Sequence, residues 1–131
     1  MLMHENMEEN AVNEYSPVTL AYIGDAVYEL MARQYILQGT KRKIRDIHNE
    51  TVKIVQATGQ AEFLHHIKPI LTEKELDIVR RGRNTKSLPP KNASVADYKL
   101  STGLEALLGY LYLSGKEERL KELFFSFYTQ G

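Results

Sequence analysis

From Pro17 onward, apolar residues return at every third or fourth position, so the chain reads as one helix after another. Ser16 before Pro17 makes an N-cap with proline in the first turn, and Gly39 offers a stop, which predicts a first long helix over Pro17–Leu37. Ile44, Ile47, Thr51 and Val55 keep the same period and predict a helix over Ile44–Ala57. A shorter one, Gln60–Ile67, ends before Pro69. Thr72 and Glu75 form a capping box that opens "EKELDIVRRG", with Gly82 placed to close it. "RNTKSLPPKNA" then reads as a polar loop stiffened by Pro89 and Pro90. Ser94 and Asp97 are a second capping-box candidate, opening a long helix to about Ser114 that Gly115 ends, and a last amphipathic helix covers Glu117–Tyr128. No period-two pattern, internal repeat or low-complexity tract interrupts the series. The expected class is all-α, about six to seven helices, with residues 1–15 a loosely ordered lead-in.

Length sharpens this to one domain. A chain of 131 residues with 43% hydrophobic content fills one compact core and is too short for two ordinary domains. With no cysteine there is no disulfide framework and no thiolate metal site. No apolar run approaches the roughly 20 residues of a membrane span, and "MLMHENMEEN" lacks the basic and apolar regions of a signal peptide. The expected location is the cytoplasm, with no membrane partner.

Net charge is zero, but its distribution is uneven. From Met1 to Thr40 six acids face one base, whereas between Asp77 and Asp97 there are five bases (Arg80, Arg81, Arg83, Lys86, Lys91) and no acid. "KRKIR", Lys41 to Arg45, is a second basic cluster. Such segregation focuses a positive field on one surface and suits a polyanionic partner. Read singly, each cluster is equally an ordinary solvated segment.

Most of the acids sit on polar faces or in caps. Two stand apart. Asp25 follows Gly24 within "LAYIGDAVYEL", and Glu105 lies in "TGLEALLGYLYL" among Leu104, Leu107, Leu108 and Leu111, with Gly109 four residues on. Burying a bare carboxylate is costly unless a cation or hydrogen bonds compensate it. A glycine beside each acid is what two closely packed helices would require. Facing carboxylates with no cysteine favour a hard, oxygen-liganded ion such as magnesium or manganese. The alternative is that each acid pairs with an arginine or caps a neighbouring backbone.

At these residues the chain resembles the ribonuclease III family. "YIGDAVYEL" is similar to the family signature and "LEALLGYLYL" to its second conserved block. "LAYIGDA", "RGRN", "PKN" and "STGLEALLGYLYL" together look like the short Mini-ribonuclease III branch. The resemblance covers about Leu20 to Leu113 and implies a ribonuclease III-like endonuclease domain with no double-stranded-RNA-binding domain appended. It implies that Asp25 and Glu105 bind the catalytic Mg2+, for which Mn2+ can substitute. Where longer members carry two further acids this chain has Ala21 and Thr102, as is typical of the short branch. That leaves water, RNA phosphate oxygens and the Thr102 hydroxyl to fill the metal shell. Gly24 would let a partner helix or a metal-bound phosphate approach the backbone.

The resemblance further implies a magnesium-dependent homodimer that cleaves double-stranded RNA and leaves a 5′ phosphate and a 3′ hydroxyl. The substrate would be precursor large-subunit (23S) ribosomal RNA, trimmed near its base-paired ends, with a ribosomal protein as a conceivable accessory. Arg81, Arg83, Asn84, Lys86 and Lys91, extended by Lys41, Arg42 and Lys43, are the candidate RNA surface, reading an A-form minor groove mostly by shape. His48 and Gln60 are candidates for a direct RNA contact. His65 and His66 are adjacent, point to different sides of a helix and read as structural or surface residues. "LFFSFY" reads as core or dimer packing, since a duplex offers no unstacked bases. The rival class is a catalytically silent RNA-binding scaffold, which would have no reason to keep both acids. A helical nucleotide phosphohydrolase would want more acids or histidines at one site than this chain offers.

Overall fold

A computed structural model describes residues 5–38, 43–85 and 94–128. Within them the chain forms seven α-helices and no strand: α1 (Glu9–Asn13), α2 (Pro17–Leu37), α3 (Ile44–Val55), α4 (Ala57–Ile67), α5 (Glu73–Arg83), α6 (Val95–Leu113) and α7 (Glu117–Phe127), with a 3-10 turn at Lys68–Ile70. The caps explain the boundaries. Ser16 accepts from the Thr19 N–H with Pro17 at the first turn, and Thr72 and Glu75 close a complete capping box. Ser94 accepts from the Asp97 N–H. At the far end of α6, Gly115 takes φ 76° while Lys116 N–H reaches the Leu111 carbonyl at 2.8 Å and Gly115 N–H reaches that of Tyr112 at 3.1 Å. This left-handed closure needs glycine.

α6 is the axis of the molecule. From Ser101 to Leu111 every residue except Glu105 is buried, as expected of a helix that is apolar on nearly all sides. Leu104, Leu107, Leu108 and Leu111 meet Leu20 and Tyr28 of α2, Phe63 and Leu64 of α4, Ile78 and Val79 of α5, and Leu123 and Phe124 of α7. The α2–α6 pairing is the most extensive and α5–α6 the next. Among the described residues no helix is long and apolar enough to cross a membrane.

The structure departs from the sequence expectations at several points. The segment ending at residue 15 carries α1, held by the buried Val12, the Met7 N–H to Leu113 carbonyl bond at 2.9 Å and a Glu9–Lys116 ion pair. The second predicted helix stops at Val55 rather than Ala57, because Gln56 takes an extended conformation (ψ 160°) and serves at once as C-cap of α3 and N-cap of α4. Gly82 does not close α5. It lies inside it, buried, where an added Cβ would stand 2.9 Å from the Gly103 Cα, so its role is close packing against α6.

Candidate active site

Asp25 and Glu105 are brought together by the α2–α6 contact. At Gly24 a Cβ would lie 1.7 Å from the Glu105 carbonyl oxygen, and at Gly109 it would lie 2.0 Å from that of Leu20. Two glycines one turn along their helices therefore let the two backbones touch. The buried stripe of α2 is Leu20, Ala21, Gly24, Tyr28, Ala32 and Ile36. Asp25 is one residue off that stripe and is exposed, whereas the sequence pattern suggested a buried acid. The Glu105 side chain is half-buried and leaves the core at the same edge.

The two carboxyl groups are within hydrogen-bonding reach of each other. Burial, the hydrogen bond with Asp25 and the Asp25 charge push the Glu105 carboxyl up to about 8, against a hydrogen bond from Gln60 that favours the charged form. At neutral pH the Glu105 carboxyl thus keeps its proton for the most part and is hydrogen-bonded to Asp25. A divalent cation can take the place of that proton, and two carboxylates with no sulfur or imidazole donor suit a hard ion that keeps much of its water. Among the described residues no three His, Cys, Asp or Glu side chains cluster, so within them such a shell would draw its carboxylates from these two acids.

Gln60, on α4, is the third member of the site. Its Nε2 donates to Glu105 Oε2 at 3.3 Å and to the Val55 carbonyl at 2.8 Å, and its Oε1 is buried with no hydrogen-bond partner among the described residues. An orphaned acceptor beside a carboxylate pair is the other feature that fits a hydrated cation. Local sequence carries the clue: Gln60 is a polar residue among the buried positions Ala61, Phe63, Leu64 and Ile67 of α4.

The remaining candidates divide. Thr102 donates its hydroxyl to the Tyr98 carbonyl at 3.0 Å, within its own helix, and Ala21 is buried in the α2 stripe. His48 is exposed on α3. Arg81 and Arg83 lie in the last turn of α5 rather than in a loop, and Asn84 is its C-cap; all three are exposed. Because Gly82 and Gly103 pack α5 on α6, this basic end lies beside the half of α6 that leads to Glu105. Lys43 is the exposed N-cap residue of α3. Lys41, Arg42, Lys86 and Lys91 lie outside the described residues. His65 and His66 are exposed, with His66 Nε2 paired to the Ser126 carbonyl at 2.9 Å.

The model of the ribonuclease III domain matches residues 18–116. The chain is 53% identical over 108 residues to a Mini-ribonuclease 3 of Symbiobacterium thermophilum, covering 82% of this chain and 83% of that protein. It is 40% identical over 122 residues to the Mini-ribonuclease 3 of Staphylococcus aureus, covering 91% of each. The chain belongs to the ribonuclease III family, in its Mini-ribonuclease 3 group. The crystal structure of protein FN1578 from Fusobacterium nucleatum superposes with a TM-score of 0.79 at 34% identity, covering 85% of this chain and 91% of that one. As a member of this family the protein is a hydrolase, an endoribonuclease. The matched span runs from the start of α2 to the end of α6 and so contains the glycine contact, both acids, Gln60 and the basic end of α5.

Proposed function

We propose that this protein is a magnesium-dependent endoribonuclease that cuts double-stranded RNA as a homodimer, maturing the base-paired ends of precursor large-subunit ribosomal RNA. The observation that carries the reading is the meeting of the Asp25 and Glu105 carboxyl groups where Gly24 and Gly109 press α2 against α6, with the exposed basic end of α5 packed on the same helix. Bound Mg2+ would polarise the scissile phosphate and lower the pKa of a coordinated water. Asp25 and Glu105 would hold that ion with charged oxygens, Glu105 having given up its proton. Asp25, exposed on α2, would face the incoming backbone, while the half-buried Glu105 anchors the site to the core. Arg81, Arg83 and Asn84 would contact phosphates and 2′-hydroxyls on either side of the cut. No side chain need act as nucleophile, and the likeness to the ribonuclease III family implies products with a 5′ phosphate and a 3′ hydroxyl.

Cutting both strands of a duplex calls for two sites related by a two-fold axis. Beside Asp25, Tyr22 is 79% exposed, and Val18, Leu30 and Leu37 are exposed on the same helix. Between α2 and α7 lies an apolar groove of about 620 Å3 lined by Ile23, Leu30, Met31, Tyr35, Phe124 and Phe125. These exposed apolar side chains and the groove lie on the helix that carries Asp25, which is where a second copy would bring its own site close, and they support the homodimer.

The test is incubation of the purified protein with long duplex RNA and with single-stranded RNA, with and without Mg2+. The expected result is cutting of the duplex alone, only with the ion, together with a dimer in sedimentation. Duplex binding without cutting under all ionic conditions would instead favour the silent scaffold.

A further inference from the structure

Gln60 is 3% exposed, yet its side chain spends neither of its hydrogen bonds on its own helix. The Val55 carbonyl can only accept, which fixes the nitrogen of the amide on that side and makes Glu105 the recipient of its second hydrogen. Val55 is the last residue of α3 and Glu105 sits at mid-length of α6, so one amide ties three helices together at the acid pair. Its oxygen is left buried without a donor. A purely structural amide would be expected to satisfy both ends, because an unmade buried hydrogen bond costs more than a made one gains.

We infer that Gln60 is a positioning residue of the site: its Nε2 holds the Glu105 carboxyl turned toward Asp25, and its Oε1 accepts a hydrogen bond from a water in the shell of the divalent cation. This rests on the reading that Asp25 and Glu105 hold such a cation. It differs from a direct RNA contact, because a side chain this buried, spanning α3, α4 and α6, acts on the carboxylate and not on the nucleic acid.

Mn2+ binding to the RNA-free protein, followed by electron paramagnetic resonance, reads this role without any turnover. Wild type, Gln60→Leu and Gln60→Asn are compared, each with a thermal melt in metal-free buffer and with kcat and KM for duplex cleavage at saturating Mn2+. Gln60→Leu keeps the volume and removes the donors and the acceptor; it should weaken Mn2+ binding roughly 10–100-fold, the usual range for losing a partner of a metal ligand. Its kcat should fall while KM for RNA stays unchanged. Gln60→Asn keeps the amide but is a methylene short, and should fall between; it carries the comparison if Gln60→Leu does not fold. A folded variant with a lowered melting temperature but wild-type Mn2+ affinity and kcat would make Gln60 merely structural and overturn the inference. An unchanged kcat with a raised KM would return it to an RNA contact. Failure of the wild-type protein itself to bind Mn2+ would remove the cation reading and this inference together.

Discussion

The Glu105 carboxyl is hydrogen-bonded to that of Asp25 across a helix contact so close that Gly24 has no room for a single carbon: the space for its Cβ is filled by the carbonyl oxygen of Glu105 itself. The backbone contact and the carboxyl pair are therefore one construction, and each can be perturbed separately.

Asp25→Asn and Glu105→Gln should each lower duplex cleavage by at least a hundredfold while the protein stays folded. Glu105→Gln replaces a carboxyl already largely protonated by an amide, and Asp25→Asn removes an exposed charge, each at nearly constant volume, so the fold should hold. Cleavage assays at saturating Mg2+ with circular dichroism check this. Activity within tenfold of wild type in either variant would remove that residue from the site.

Stability in metal-free solution should fall as pH rises from about 4.5 to about 8. Folding raises the Glu105 carboxyl from its ordinary 4.5 to about 8, so in this window the folded state binds more protons than the unfolded one. Below the window both states are protonated and the contribution is fully present; above it both are ionised and it is lost. The effect is on the order of a few kcal/mol at most. Denaturant titrations at pH 5 and pH 8 should show the difference in wild type and much less of it in Glu105→Gln. An equal pH dependence in the two proteins would place the titrating group elsewhere.

Gly24→Ala should destabilise the protein by about 3 kcal/mol or more, at the severe end of overpacking, because the obstacle is backbone and cannot rotate away. Gly109→Ala, with its Cβ 2.0 Å from the Leu20 carbonyl oxygen, should behave alike. Thermal melts of the two variants suffice. A loss below about 1 kcal/mol in both would mean that the helices separate cheaply.

The helices were legible because each signal was local: Ser16 with Pro17, Thr72 with Glu75, and Gly115 each mark an end within a few residues. The acid pair was legible because a carboxylate beside a glycine in an apolar run is locally odd. The exposure of Asp25 was not, since the residue that faces α6 is its neighbour Gly24 and only the helix's rotation against α6 decides between them. Gly82 misled for a related reason: a glycine near a helix end looks like a stop, and Gly103, which it packs against, lies 21 positions on. Near Glu75 the sequence offers only its role in the cap. Its burial depends on Arg119, 44 positions later, about which the sequence near Glu75 says nothing.

Arg119→Met should therefore cost about 2–4 kcal/mol, since it strands the buried Glu75 carboxylate. The guanidinium donates to both Glu75 oxygens, at 2.9 and 2.7 Å, and to the Ile70 carbonyl at 2.7 Å. Burial alone would raise the Glu75 carboxyl, but the Arg119 hydrogen bond and the Thr72 backbone N–H hold it below its ordinary value. The pair joins the start of α5 to α7 and lies outside the acid site. Adding Glu75→Gln to Arg119→Met should recover part of the loss. Stability unchanged by Arg119→Met would show that water replaces the arginine at no cost.

Arg81 and Arg83 provide the last prediction, because the basic end of α5 is packed by Gly82 against the helix of Glu105 and is free of the acid pair itself. Cations in the last turn of a helix also sit well with its dipole, so their exposure alone does not establish a partner. RNA binding makes a further demand: each phosphate contact releases counterions, and losing it should flatten the slope of log affinity against log salt by roughly 0.9, the value for duplex DNA. Arg81→Ala with Arg83→Ala should weaken duplex binding at moderate salt and reduce the slope by about 2 if both touch phosphate. Ca2+ in place of Mg2+ would prevent cleavage during the titration. Because the Asp25–Glu105 pair stays intact, Mn2+ binding to the RNA-free double variant should match wild type. A wild-type salt slope in that variant would leave the two arginines as solvated helix-end charges and direct the search for the RNA surface to Lys43 and the start of α3.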